Sequence, residues 1–470
     1  MLSMNRFVFM FLFCAMLFSS VTRPAAAGGG HHQGESSQQI PSELVSPSLE
    51  EFPHIFLIHI DTLRHDHTSL AGYDRDTTPN LSKLSEQGYL FTEAKSQSSW
   101  TMPAVSSLLW GLYPFNHGNL FKPDDDNVLP YTSGSLIETF KDQGGYYTLS
   151  IQRNRMIGYI VKDFDETSTR TAPSRLDEDA VKVAASWLDN NLESQEQPFF
   201  MFLGLFNPHW PYTAAIDQTN YFERYLNDQT FKNAEKVIVD SLPDPSGHLK
   251  EEHFSDRLLD RFGEPGGDSG IYRDGRMYVA AYDASIRYTD IQLGKLFEKL
   301  KEAGIYDSSL IIVTSDHGEI MLDHNANFRH GTDLLDAELA VPLVIKFPYQ
   351  RRGKVVKSPV RTFDLLPTIL DWLKLEIPSI DARSILPYLQ TDKEINLDEH
   401  PVISFVDHKD KGEIVSIYRE DKHLIRYLED GTNALYDLNE DFQEQKDLAE
   451  ENMGEQESII YTILCATYCD

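Results

Sequence analysis

The stretch His54-Ile-Phe-Leu-Ile-His-Ile-Asp61 is an apolar run of strand length that ends in a carboxylate. Leu310-Ile-Ile-Val-Thr-Ser-Asp316-His317-Gly318-Glu319 repeats the pattern much later in the chain and adds an imidazole. Runs with so little polar interruption mark strands buried on both faces. In an open α/β sheet the carboxyl ends of such strands face the binding crevice. As neighbours, these two would bring Asp61, Asp316 and His317 together, two hard oxygens and a ring nitrogen suited to a divalent cation. Between them in sequence, Trp100-Thr101-Met102-Pro103 puts a hydroxyl where a helix begins. Pro103 suits a first turn, since the N–H it lacks would have no partner there. A hydroxyl beside a cation at the positive end of a helix is placed to attack phosphorus or sulfur.

Around these points, short apolar runs alternate with amphipathic stretches, as in a mainly parallel sheet covered by helices on both faces. Strands are predicted at Ile55–Ile60, Phe199–Leu205, Leu310–Thr314 and Pro342–Phe347. Ala281, Ala284, Tyr288 and Ile291 share one stripe of a helix predicted over Arg276–Ala303, which Gly304 stops. Residues 53–375 are read as the catalytic domain and 376–455 as a smaller α+β subdomain, followed by a tail over 456–470. In that subdomain Val402–Asp407, Ile414–Arg419 and His423–Leu428 read as an antiparallel sheet with a closing helix. Residues 213–270 are polar, acidic and dotted with Tyr and Phe. They read as an insertion, either a lid over the crevice or a surface excursion.

Residues 1–27 read as a cleaved signal peptide: Arg6 precedes the apolar stretch Phe7–Phe18, and Ala25-Ala26-Ala27 forms the cleavage site. That apolar core is too short to cross a bilayer, and no later stretch approaches the roughly 20 apolar residues needed. A secreted or periplasmic protein without a transmembrane anchor is expected, with residues 28–52 as a flexible leader. Only Cys465 and Cys469 would then remain, and their pairing is left open. The net charge of −31 argues against nucleic acid as a partner. It also repels an anionic substrate at long range, so a local cationic site must attract it.

Several ordered motifs carry a family resemblance. Asp61-Thr-Leu-Arg64-His-Asp66-His67, Gly72-Tyr73 and Thr78-Pro-Asn-Leu81 form the first block. Trp100-Thr101-Met-Pro103 with Ser106-Ser107-Leu-Leu-Trp110-Gly-Leu-Tyr-Pro114 forms the second. Ser315-Asp-His-Gly-Glu319, Val341-Pro-Leu-Val344, Phe363-Asp-Leu-Leu-Pro-Thr368 and Leu435-Tyr-Asp-Leu438 follow. From Pro53 to about Asn452 the chain resembles the sulfatases, within the alkaline phosphatase superfamily. The resemblance implies an alkaline-phosphatase-like three-layer α/β/α sandwich with a smaller C-terminal antiparallel β subdomain of four strands. It also implies an ester hydrolase that depends on a metal held by Asp61, Thr101, Asp316 and His317.

One departure bears on the chemistry. Family sulfatases carry Cys or Ser at the Thr101 position, followed by x-Pro-x-Arg, and oxidise it to formylglycine. Here Thr101 bears a β-methyl group that prevents formation of that aldehyde, and Val105 replaces the Arg. No formylglycine is expected. A sulfated threonine lacks the elimination route that an aldehyde hydrate provides, whereas a phosphorylated threonine can be cleared by metal-assisted attack of water. Thr101 as a covalent nucleophile therefore favours phosphate esters. The alternatives are a sulfuric ester hydrolase working without formylglycine, a phosphoryl-group transferase and an inactive metal-binding member of the family.

The resemblance suggests further roles. His330 matches a position that holds Lys in sulfatases and His in phosphoethanolamine transferases. His209, in Asn207-Pro-His209-Trp-Pro211-Tyr212, matches a substrate-contacting histidine. Either could protonate the leaving group, and together they could hold a second metal. Arg153 and Arg155 stand near the place of a sulfatase anion contact and are candidate substrate clamps. Thr62 removes one carboxylate that many sulfatases have, tipping the metal toward Zn²⁺ or Mn²⁺ with Ca²⁺ as the alternative. His59 shares a strand face with Asp61 and reads as a supporting or core residue; Arg64, Asp66 and His67 read as buttresses. The substrate is expected to be an anionic ester of a small molecule, glycan or lipid.

Overall fold

A computed structural model describes residues 44–121, 135–169, 176–210, 220–234, 274–325 and 328–450, with short gaps at 392 and 398–399, together with Pro41, Tyr212 and Asn452. The proposed signal peptide, most of the leader, the tail with Cys465 and Cys469, and most of the 213–270 insertion lie outside them.

The strands, in chain order, are β1 (Ile55–Ile60), β2 (Tyr89–Lys95), β3 (Tyr147–Gln152), β4 (Glu166–Thr169), β5 (Phe199–Leu205), β6 (Leu310–Ser315), β7 (Ala340–Lys346), β8 (Lys354–Val356) and β9 (Val360–Arg361). They form one sheet in the order β4-β3-β5-β1-β6-β7-β2-β8, with β9 also paired to β2. Strand β1 lies between β5 and β6, parallel to both, and pairs Ile60 with Leu205 on one side and with Ser315 on the other. Every residue of β1, β5 and β6 is buried, as their apolar composition requires.

The pleat sorts β1 between two cores. Phe56, Ile58 and Ile60 join one, with the helix Gly275–Glu302 and the helix Asp177–Asn191. Ile55 and Leu57 join the other, with the helix Thr101–Trp110 and the helix Leu365–Trp372. By the same period, His59 and Asp61 fall on the face that carries the Thr101 helix. The helix predicted over Arg276–Ala303 is present, and of its stripe Ala281, Ala284 and Tyr288 are buried.

The sheet is mixed rather than uniformly parallel, because β7 runs antiparallel to both β6 and β2. The chain returns from β6 through the loop and short helix Asp336–Leu339. With no crossover helix between them, the two strands must oppose each other.

A second sheet is antiparallel throughout, in the order β10 (Val402–His408), β11 (Gly412–Arg419), β12 (Lys422–Tyr427), β13 (Asn433–Asp437). Its Ile414, Tyr418 and Ile425 pack with Leu334 and Leu339, while Ile403, Phe405 and Leu424 pack with Tyr113 and Phe363. The helix of this region, Leu386–Thr391, precedes the sheet, and residues 438–450 contain none.

Candidate active site

Pairing of Ile60 with Ser315 sets the ends of β1 and β6 side by side, so Asp61 and Asp316 emerge as neighbours. Asp61, Asp316 and His317 each offer a ligand atom within 4.8 Å of the others, and all three are buried. Nε2 of His317 lies 3.6 Å from Asp316 Oδ2 and 3.9 Å from Asp61 Oδ1. Both of those oxygens are buried without a hydrogen-bond partner. Their other oxygens are occupied: Asn154 donates to Asp61 Oδ2 at 2.8 Å, and the amides of Thr62 and His317 donate to Asp316 Oδ1 at 3.3 and 2.9 Å.

The electrostatics favour a cation between them. Burial, and next the charge of Asp316, pushes Asp61 well above the usual carboxylate range. Burial would raise Asp316 too, yet the His317 and His59 imidazoles outweigh it and hold it below that range. Two buried carboxylates this close cannot both ionise without a compensating positive charge. His317 donates from Nδ1 to the Gly318 carbonyl at 2.8 Å, which leaves the Nε2 lone pair facing the two acids. Burial, aided by His330, pushes its imidazole down to about 4 against the pull of Asp316, keeping it neutral. Two orphaned carboxylate oxygens and a neutral ring nitrogen fit a divalent metal.

Thr101 is the first residue of its helix and is fully buried. Its Oγ1 lies 3.3 Å from His317 Nε2, beside the acids. Gly331 pins the neighbouring loop by donating its amide to the Ser99 carbonyl at 2.8 Å. A Cβ at Gly331 would stand 3.0 Å from Trp100 Cβ, and its φ of +71° is one that glycine adopts without strain. The loop carrying His330 is thereby fixed against the turn that carries Thr101.

His330 and His209 face the same place. The His330 ring centroid is 4.6 Å from that of His317 and 5.1 Å from that of His209. Burial alone would lower His330, but Glu319, 3.0 Å from its Nδ1, outweighs that effect and holds it above its ordinary value. His209 donates from Nδ1 to the Trp210 carbonyl at 2.6 Å, and burial pushes it down to about 3. Asp177 anchors the turn leading to His209, accepting from the amides of Phe206 and Asn207 and from Thr289 Oγ1.

The remaining candidates are placed as follows. Arg153 is buried, and its charge acts on Asp177; Arg155 is exposed. Thr62 has a φ of +58°, a strained conformation for a β-branched residue, at the shoulder of Asp61. Arg64 grips Asp66 and Asp323 and donates to the Glu319 carbonyl, bracing the loops after β1 and β6 against each other. His67 meets Asp283 at 2.7 Å. Three contributors escaped the sequence reading: Asn154 on Asp61, Glu319 on His330, and Asp177 behind His209. Glu319 closes the Ser315–Glu319 motif without a role assigned there, and Asn154 is an amide just past the end of β3, a strand outside the predicted set.

Three buried side chains able to hold a metal thus meet a helix-borne hydroxyl on an α/β scaffold. Residues 53–375 match the model of the sulfatase family, and residues 332–463 match that of the C-terminal region of N-sulphoglucosamine sulphohydrolase. The chain belongs to the sulfatase family, whose members are metal-dependent ester hydrolases. It is 26% identical to the multifunctional alkaline phosphatase superfamily protein PehA of Trinickia caryophylli, over 67% of this chain and 72% of that one. It is 23% identical to arylsulfatase K of Bos taurus, over 78% and 70%. Among solved structures, BT4656 in complex with its substrate D-glucosamine-2-N,6-O-disulfate aligns with a TM-score of 0.69 at 18% identity, covering 87% of this chain and 96% of that one. The phosphonate monoester hydrolase of Agrobacterium radiobacter aligns at 0.65 and 20%, covering 88% and 96%. Among the described residues, no helix is long and apolar enough to cross a membrane.

Proposed function

We propose that this protein is an exported, metal-dependent hydrolase that cleaves phosphate esters in preference to sulfate esters, with Thr101 as its nucleophile. The observation that carries the reading is the Thr101 hydroxyl 3.3 Å from His317 Nε2, which itself faces two buried carboxylate oxygens that accept no hydrogen bond. Asp61, Asp316 and His317 would hold one divalent ion, Zn²⁺ or Mn²⁺ in preference to Ca²⁺, since a nitrogen is in the donor set. Such an ion lowers the pKa of a neighbouring hydroxyl and polarises the ester.

The side chains supply the rest. Thr101 Oγ1, its proton given up to solvent, attacks phosphorus; the bond to the leaving oxygen breaks, and the group rests on Thr101 until water adds at phosphorus and returns the hydroxyl. Glu319 holds His330 by Nδ1, so its Nε2–H is free to protonate the departing alcohol. His209, held neutral with its proton on Nδ1, presents an Nε2 lone pair that can accept from a hydroxyl of the substrate. Glu319 beside His330 favours this acid role over a second metal held by His330 and His209. Preference for phosphorus follows from the threonine, which cannot use the aldehyde route, and accords with similarity to a phosphonate monoester hydrolase.

A second reading, sulfate ester hydrolysis without formylglycine, has the arylsulfatase K relatives and the sulphohydrolase C-terminal match in its favour. Parallel assays of aryl phosphate, phenylphosphonate monoester and aryl sulfate on metal-replete protein separate the two. Faster turnover of the phosphorus esters supports the first reading, and turnover of sulfate alone replaces it with the second.

A further inference from the structure

Five of the six residues of β1 are apolar; the sixth, His59, is 1% exposed. Neither of its ring nitrogens makes a hydrogen bond. A buried polar side chain that makes no hydrogen bond is costly, so packing alone does not account for a histidine here. Its Nε2 stands 3.3 Å from Asp316 Oδ2, within ion-pair distance but outside hydrogen-bonding geometry, and that oxygen accepts no hydrogen bond. Gly204 is the register partner of His59 across β1 and β5. A Cβ at Gly204 would stand 1.9 Å from Gln152 Oε1 and 3.3 Å from His59 Nδ1. The missing side chain therefore makes room for the Gln152 carboxamide near the ring. Gln152 is anchored through Nε2 to Ser150 Oγ and the Phe202 carbonyl, while its Oε1 is buried and unpartnered.

We propose that His59, backed by Gln152 in the space left by Gly204, is a positioning residue that aims Asp316 Oδ2 at the metal. The inference rests on the reading that Asp61, Asp316 and His317 hold that ion. His59 acts through Asp316, as the outer partners of metal ligands generally do: it limits the carboxylate to one orientation. Asp316 Oδ2, which accepts no hydrogen bond, is then left to face the ion.

Calorimetric titration of chelator-treated protein with Zn²⁺ and Mn²⁺, paired with melting of the metal-free form, tests this. His59→Leu is expected to weaken binding by roughly 10- to 100-fold, while the metal-free protein melts at the same or a higher temperature. Gly204→Ala displaces Gln152 without removing a charge; it should weaken binding in the same direction, and it decides the matter if His59→Leu does not fold. Unchanged affinity in these variants overturns the positioning role. So does a metal-free melting temperature that falls together with affinity, the mark of a packing residue. Failure of the unsubstituted protein to bind either ion overturns the metal reading itself, and the positioning role with it.

Discussion

Thr101 Oγ1 lies 3.3 Å from Nε2 of His317, joining the start of one helix to the end of a strand far along the chain. Because Nδ1 of that histidine is spent on the Gly318 carbonyl, a single lone pair faces the hydroxyl and both carboxylates. The nucleophile and the proposed metal ligand are thus held by separate elements that the sheet brings together.

Thr101→Ala should lower turnover of every ester by at least about a thousandfold, as removal of a nucleophile does. The lost hydroxyl and methyl should cost less than about 1.5 kcal/mol of stability. Thr101→Ser keeps the hydroxyl and should retain most activity. Steady-state kinetics and urea unfolding check both. Mass spectrometry of rapidly quenched protein should find the transferred group on the peptide containing residue 101 in the threonine and serine forms and not in the alanine form.

Removal of metal should abolish activity and lower the melting temperature. An ion present at a hundred times its dissociation constant contributes about 2.7 kcal/mol to stability. Calorimetry before and after chelation measures the difference, and Asp61→Asn should erase it.

Gly331→Ala should impair turnover more than metal binding. The added methyl meets Trp100 and forces a strained φ, shifting His330 relative to Thr101. A loss of about tenfold or more in kcat with unchanged metal content is expected, a misplacement effect of the kind that small shifts produce. Kinetics with metal analysis on the same sample check it.

Acid should weaken the fold partly through His117. Its Nε2 lies 3.2 Å from the Pro103 carbonyl and 3.1 Å from Ser107 Oγ, and its Nδ1 accepts from the Asn119 amide. Burial pushes the group down to about 3 from 6.5. The unfolded chain therefore takes up the proton first: the contribution is complete above pH 6.5 and is lost as pH falls toward 3. At pH 4.5 the loss should be about 2–3 kcal/mol relative to pH 7.5. Urea unfolding at the two values should show a smaller drop for His117→Gln than for the unsubstituted protein.

The core was legible where burial leaves a plain mark on composition. β1, β5 and β6 are continuous apolar runs, and the helix Gly275–Glu302 carries a clear stripe. Asp61, Thr101 and Asp316 stood out because each sits where such an element begins or ends. Strand order and direction were not legible in this way. The antiparallel β7 looks like any buried strand, and β2, with its bulge between Phe91 and Ala94, mixes polar and apolar positions. Partners such as Asn154 for Asp61, or Asp177 for the turn before His209, are set by which strands adjoin, and local periodicity carries no record of that.

Anomalous diffraction from crystals grown with Zn²⁺ places the ion directly. A peak about 2.0–2.2 Å from Asp61 Oδ1, Asp316 Oδ2 and His317 Nε2, and within reach of Thr101 Oγ1, is the expected result. A stoichiometric peak elsewhere, or none among these four side chains, would contradict it.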